Sequence, residues 1–419
     1  MLKKIVPAVL LMLAMVCTLS LHAEEGFVSL FNGENLEGWK VRGGSATYKV
    51  EDGCIIGTCV PDTPHNTFLC TEKSYGNFIL KLEFKMLVSG NSGIQIRSQS
   101  RPLGEDREGV YGYQCEIAEY NALGQIYDEG RRGFKHGKVF LDSTSEEIRN
   151  KAFATYKKGE WNSMEIQCVG PSIRTWVNGV PVANILDPVD LYGFIGLQVH
   201  AGKQGTIAWR NIRIKDLGVS QWKSFFVKDG DTWKLADARF VLPDEWSFDQ
   251  DGVLTGLHKK EEKRDGLVVS DKNYTDFAAR VTYQIFGGNS ALYFRAEEVN
   301  TPWLLKGFQN EIAGNNVDSA LWHTAGDKTP GRGWVTKNEE LVGKVRNKEG
   351  WNTTCTIAVG DRIVQFLNNF ETADIIDPLC EKSGKFGLQL HGSADVRMLF
   401  KDFEYLEITP EMRALIERP

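Results

Sequence analysis

The chain has 419 residues, with 49 Lys and Arg against 55 Asp and Glu and a hydrophobic fraction of 42 %. That length accommodates two domains of ordinary size, and the composition excludes a disordered polymer. A formal charge of -6 with no basic stripe excludes nucleic acid and anionic membrane surfaces as partners and leaves a small, weakly charged ligand.

Residues 1–23, MLKKIVPAVLLMLAMVCTLSLHA, join two lysines to an apolar run and a small residue, Ala23, before an acidic pair. This reads as a cleaved secretory signal and predicts an extracytoplasmic protein, periplasmic or secreted. No later stretch is apolar enough to span a bilayer. The seven cysteines beyond the signal cannot all pair with one another, and no CxxC supports a zinc site. Cys115 and Cys168, set among apolar residues, read as buried thiols, whereas a pair among Cys54, Cys59 and Cys70 is left open.

From there the pattern has period two. FILKLEFKM (78–86), SGIQIRS (92–98), YQCEI (113–117), SMEIQCV (163–169), SIRTWV (172–177), IGLQVH (195–200) and IAWRNIRIK (207–215) all read as strands. Asn178-Gly179 is a two-residue hairpin signal. The second half then repeats the first. NSGIQIRS returns as NSALYFRA (289–296), YQCEIAEY as FQNEIAGN (308–315), GEWNSMEIQCVG as EGWNTTCTIAVG (349–360), and GLQVH as GLQLH (387–391). The order is kept, so the chain is a tandem duplication of all-β units. The predicted limits are 24–217 and 218–408, followed by a tail at 409–419. Each unit is expected to be an antiparallel β-sandwich.

Strand alternation sorts side chains by face. With Leu197 and Val199 inward, Gln198 and His200 share the other face. Inward Cys115 and Ile117 leave Gln114 and Glu116 together, and inward Ile94 and Ile96 leave Gln95 and Arg97. Trp176 is expected beside them as a sugar platform. The second copy repeats the set as Arg295, Gln309, Glu311, Gln389 and His391, with Phe366 for Trp176. Solvent exposure alone would demand little of these positions, so the retained polar identities favour a site over an ordinary solvated sheet face; shared descent is the other alternative.

YQCEIAEY, IYDEGRRG (126–133), GEWN, NGVPVANILD (178–187) and IGLQVHAG (195–202) resemble the 3-keto-disaccharide hydrolase domain family over both halves of the chain. The resemblance implies concanavalin-like jelly-roll sandwiches, secretion, and action on glycosides oxidised to a ketone at sugar C3. The second copy departs where IYDEGRRG becomes LWHTAGDKTPGRGW (321–334), losing Asp128-Glu129 and gaining His323, so the first copy is expected to carry most of the activity.

An ordinary glycosidase needs two carboxyl groups about 5 to 9.5 Å apart, and alternation gives Glu116 only Gln114 as its neighbour. A 3-keto sugar needs less, because the ketone acidifies the C2 proton. One base and one electrophile can then expel the C1 substituent, and water can add to complete a net hydrolysis. Glu116 or His200 is the expected base. Arg97, the other of that pair, or a divalent cation is the expected stabiliser of the enolate. Gln114, Gln198, Trp176, Tyr127 and Arg132 are expected to hold a small carbohydrate. The competing function is a lectin-like sandwich that binds a glycan without turnover.

Overall fold

Strand Phe78–Val88 and strand Asn91–Pro102 lie in different sheets, and their alternating apolar residues meet in one layer: Leu80, Leu82 and Phe84 from the first, Ile94 and Ile96 from the second, all buried. The computed structural model describes residues 24–103, 108–133, 136, 139–142, 144–324 and 331–418. The expected signal lies outside the described residues. The first domain pairs an eight-stranded sheet with a six-stranded one, all neighbours antiparallel. The six-stranded sheet runs Trp39–Gly43, Thr67–Tyr75, Gly193–Val199, Asn91–Pro102, Glu108–Ala118, Ile126–Glu129. Trp209 and Tyr113 are fully buried in the layer between the sheets.

The second domain repeats this with an eight-stranded and a seven-stranded sheet around Phe277, Phe294, Phe308 and Phe386. The chain is thus two tandem jelly-roll β-sandwiches, and the duplication reaches single turns. Asn178 and Gly179 have φ 47° and 79°, Asn368 and Asn369 φ 50° and 72°, and each pair closes a two-residue hairpin. All seven cysteines of the described residues are free thiols. No helix among the described residues is long and apolar enough to cross a membrane.

A third apolar cluster joins the domains. Val169, Leu186 and Leu191 of the first pack with Ile357, Val364, Phe366 and Leu406 of the second. The tail forms a helix, Pro410–Ile416, capped by the Thr409 hydroxyl, which accepts from the Met412 amide. Its end lies on the eight-stranded sheet of the first domain. Gln167 Nε2 donates to the Leu415 carbonyl at 2.8 Å, Arg174 Nη1 donates to the Ile416 carbonyl at 3.2 Å, and Arg418 pairs with Glu165.

Candidate functional site

On a flat six-stranded sheet, Asn66, just before Thr67–Tyr75, and Glu129, on the far edge strand, would be four strand spacings of about 4.8 Å apart. Their side chains instead meet, Asn66 Nδ2 donating to Glu129 Oε1 at 3.2 Å. Arg42 on the opposite edge strand likewise reaches Glu108. The sheet therefore curls into a groove on the face away from the core. That explains why Gln95 and Gln198 are fully buried there, and why Gln114 and Glu116 are 2 % and 5 % exposed. The reading of this face as an ordinary solvated surface is excluded.

Register places Gln95, Gln114 and Tyr127 in one row across the sheet, and Gly93 and Glu116 in the next. A directional relay ends on the carboxylate: Ser98 donates to Gln95, Gln95 Nε2 to Gln114 Oε1 at 2.9 Å, and Gln114 Nε2 to Glu116 Oε1 at 2.7 Å. Asn91 Nδ2 donates to Glu116 Oε2 at 3.4 Å. Gly93 is needed beneath this relay, because a Cβ there would lie 2.5 Å from Gln114 side-chain carbons. Burial nevertheless outweighs the two donors, and with repulsion from Glu129 it raises the Glu116 carboxyl to about 7. Burial and neighbouring Asp128 raise Glu129 as well, against the Asn66 bond. Tyr127 is pushed to about 12 by burial and by the carboxylates of Glu129, Glu116 and Asp128. Glu129 stands two residues from Tyr127 on the same edge strand, so period-two reading of IYDE would have placed it on this face; it was missed because the neighbour of Glu116 was sought only along its own strand.

Gln198 lies in the row of Glu116, across Gly93, and both its amide oxygen and its amide nitrogen are buried without a partner. Such a group costs roughly 1–3 kcal/mol unless something pairs with it. His200 stands exposed at the groove's rim. Its backbone amide bonds the Asn91 carbonyl at 3.4 Å, and its Nδ1 donates to the Ala201 carbonyl at 2.6 Å.

Three expected members stand elsewhere. Arg97 sits at a β-bulge with φ 46°, which reverses its direction. Its guanidinium turns between the sheets, bonding the Gly76 carbonyl at 2.7 Å, the Gly170 carbonyl at 2.6 Å and Asn77 Oδ1 at 3.2 Å. Arg295 repeats this at φ 47°, on the Thr275 and Gly360 carbonyls. Both arginines fasten backbone inside their domains and do not face the groove. Trp176 belongs to the opposite sheet and lies between the Arg174 and Arg418 guanidinium groups, 4.8 and 4.6 Å from its ring centre, so it is no platform beside Glu116. Its counterpart Phe366 belongs to the cluster between the domains. Arg132 turns away from the groove into a buried ion network, pairing with Asp128 and donating to Asp187 Oδ2 at 2.8 Å.

The second groove keeps Glu311, raised to about 7 by burial despite an Asn289 bond at 3.4 Å. Around it the connections change. Thr324 takes the place of Glu129, its amide on the Gly307 carbonyl, and its hydroxyl donates to Gln309 Oε1 at 2.7 Å. Gln309 Nε2 then donates to Gln389 Oε1 at 3.1 Å instead of to the glutamate, and Gln389 Nε2 donates to Asp265 Oδ2 at 2.6 Å. His391 lines a cavity of about 720 Å³ at this groove's mouth, together with Trp303, Lys260 and Lys263. Among the described residues no three His, Cys, Asp or Glu side chains converge as a metal site.

The fold and site define a class: tandem curled β-sandwiches, each with amide and carboxyl side chains buried in a groove on one sheet. The chain belongs to the 3-keto-alpha-glucoside-1,2-lyase-like domain family, whose model matches residues 26–215 and again 221–405. A search of curated proteins finds no significant match. Among solved structures, one domain's worth of the chain is similar to a protein from Parabacteroides distasonis assigned as a glycosyl hydrolase, at 23 % identity over 46 % of this chain and 94 % of that one, TM-score 0.33. It is also similar to the carbohydrate-binding module CBM66 from Bacillus subtilis, at 17 % identity over 39 % and 91 % of the two chains, TM-score 0.30. A galectin-like protein of unknown function from Bacillus subtilis matches at 11 % identity over 43 % and 89 %, TM-score 0.33.

Proposed function

We propose that the first domain cleaves the glycosidic bond of 3-keto-glycosides, including 3-keto-disaccharides, by elimination across C1 and C2, with hydration completing a net hydrolysis. The observation that carries this reading is a buried carboxyl, Glu116, raised to about 7, with an unpaired amide, Gln198, in its row and a second raised carboxyl, Glu129, on the same face of the sheet. Glu116 as carboxylate takes the C2 proton. The C–H electrons move toward the C3 ketone, whose oxygen, as enolate, accepts from the Gln198 amide nitrogen. As the ketone re-forms, C1=C2 closes and the C1–O bond breaks, and Glu129 in its protonated form gives the departing oxygen its proton. Water adding at C1 would release the 3-keto sugar. Oxidation states do not change in any step.

His200 at the rim contacts the leaving half of the substrate in this reading, and Gln114 orients Glu116. The second domain binds a glycan without turnover, the reading favoured there by Thr324 in place of Glu129 and by a Gln389 whose amide is already tied to Asp265. The protein acts outside the cytoplasm after removal of residues 1–23, which the mass of the exported chain would check. The decisive assay incubates the purified protein with 3-keto-trehalose and with trehalose, with and without chelator, and follows free glucose and the enone chromophore. Release from the ketone alone supports the reading. Equal release from trehalose overturns it, because its C2 proton is not acidified.

A further inference from the structure

The two grooves are edged by different rings. In the first domain Tyr127 stands across from Gln114 on the edge strand, and Phe140 bridges to it from the far side. In the second, register puts Trp322 at the Tyr127 position, across from Gln309, and Trp334 at the Phe140 position, on the strand Gly333–Thr336. Residues paired across antiparallel strands share a face, so Trp322 faces the groove with Gln309. Its neighbours agree. Thr324, two residues on, reaches Gln309 Oε1 with its hydroxyl, while Leu321 and His323 turn toward the core, where His323 meets the Phe308 ring.

The two indoles stand at 82° to each other with ring centres 4.8 Å apart, which makes an aromatic corner on the groove's edge. Lys337 lies 4.1 Å from the ring centre of Trp334, yet that side chain stays 40 % exposed, and Trp322 is half-buried. Glu311 stands diagonal to Trp322 across the strand pair, a separation of about 7–8 Å that a long side chain spans. Its side chain keeps one bond among the described residues, from Asn289 at 3.4 Å, so its carboxyl has capacity for a hydroxyl. The cations beside the corner are already engaged, Arg332 with Asp377 at 2.8 Å and Lys337 with Glu339 at 3.7 Å, so an anion gains little there. A ligand that brings an apolar face for an indole and neutral hydroxyls for a carboxyl fits this edge.

We propose that Trp322 and Trp334 form the platform of a binding site for neutral pyranose sugars, with the C–H face of one ring against indole and a hydroxyl on Glu311. The proposal rests on the reading of the second domain as a glycan binder and adds the class of sugar and the side chains that hold it.

The test is calorimetric titration of the full chain with trehalose and, separately, glucuronic acid. Binding at the second groove is the part lost on Thr324→Arg, which fills the groove from a partly exposed position on its edge. Trp322→Ala and Trp334→Ala are each expected to weaken that part about tenfold or more. Trp322→Tyr, which keeps a ring there, should recover most of it, a result that general loss of folding would not give. Binding lost on Thr324→Arg but unchanged in both alanine variants overturns the platform and leaves the glycan reading of this domain standing. Trehalose binding that is absent, or indifferent to Thr324→Arg, overturns both. Tighter binding of glucuronic acid than of trehalose at this groove overturns the assignment to neutral sugars.

Discussion

The two grooves hold a glutamate of the same origin at the same raised carboxyl value, yet the side chains around them point in opposite senses. In the first, donation runs from the Ser98 hydroxyl to Gln95 and through the amides of Gln95 and Gln114 onto Glu116. In the second, Tyr293 replaces Gln95, Gln309 donates to Gln389 instead of to Glu311, and Gln389 in turn donates to Asp265. A duplicated backbone can thus keep its acid while losing the neighbours that would orient it, and one exchange at the edge strand, Glu129 for Thr324, removes the second carboxyl.

The strongest way to break this comparison is to remove each glutamate in turn. Glu116→Gln is expected to lower kcat/KM about 100-fold to 10,000-fold, and Glu311→Gln to change it by less than about twofold. The reverse outcome would make the second groove the working one. The pH profile of wild-type kcat/KM should rise through about 7 as Glu116 becomes the carboxylate that accepts the proton.

Stability should run the other way. A carboxyl whose folded value lies above its unfolded value binds more protons when folded, so its contribution is complete below about 4.5 and is lost as pH rises through about 7. Glu116 and Glu311 should each account for about 3 kcal/mol of that loss. Urea titrations at pH 4.5 and 8 would show it, and Glu→Gln at either position should flatten its share; a loss unchanged in both variants would mean that the two carboxyls titrate like exposed ones.

Arg97→Lys should cost about 2 kcal/mol of stability without moving the pH profile of kcat, and Arg295→Lys should do the same in its own domain. A changed pH profile for Arg97→Lys with unaltered stability would return that side chain to the groove. Among substitutions in the first groove the smaller effect is expected of Glu129→Gln, about tenfold in kcat, concentrated on substrates with poor leaving groups. An equal loss with an aryl leaving group, which needs no proton, would remove Glu129 from the acid role.

Much of this comparison was readable from alternation. Gln114 with Glu116, and the inward run of Cys115, Leu197 and Val199, fell where period two placed them. Alternation failed at Arg97 because a bulge inserts a residue and reverses the face, and no residue in GIQIRS marks it. The retention of arginine in both copies carried a real signal, but its cause is the same in each: carbonyls left at a strand end need donors. Trp176 failed for a different reason. Period two gives each strand two faces without saying which strands share a sheet, and Ser172–Val177 lies in the other one. Nor could curling be read from composition, and it is curling that brings Glu129 and Asn66 together.

The position of the last helix bears on how the chain is made. Residues 410–416 leave the ribosome after both sandwiches, yet they lie on strands 162–177, among the first domain's own. The first sandwich can close on its own core while the second is still being synthesised, but the part of the inter-domain cluster covered by Met412, Leu415 and Ile416 stays open until residues 410–416 arrive. During that interval the nascent protein carries an uncovered apolar patch, so a message truncated before codon 409 should yield a product that depends on chaperones or associates with itself, even with both sandwiches intact.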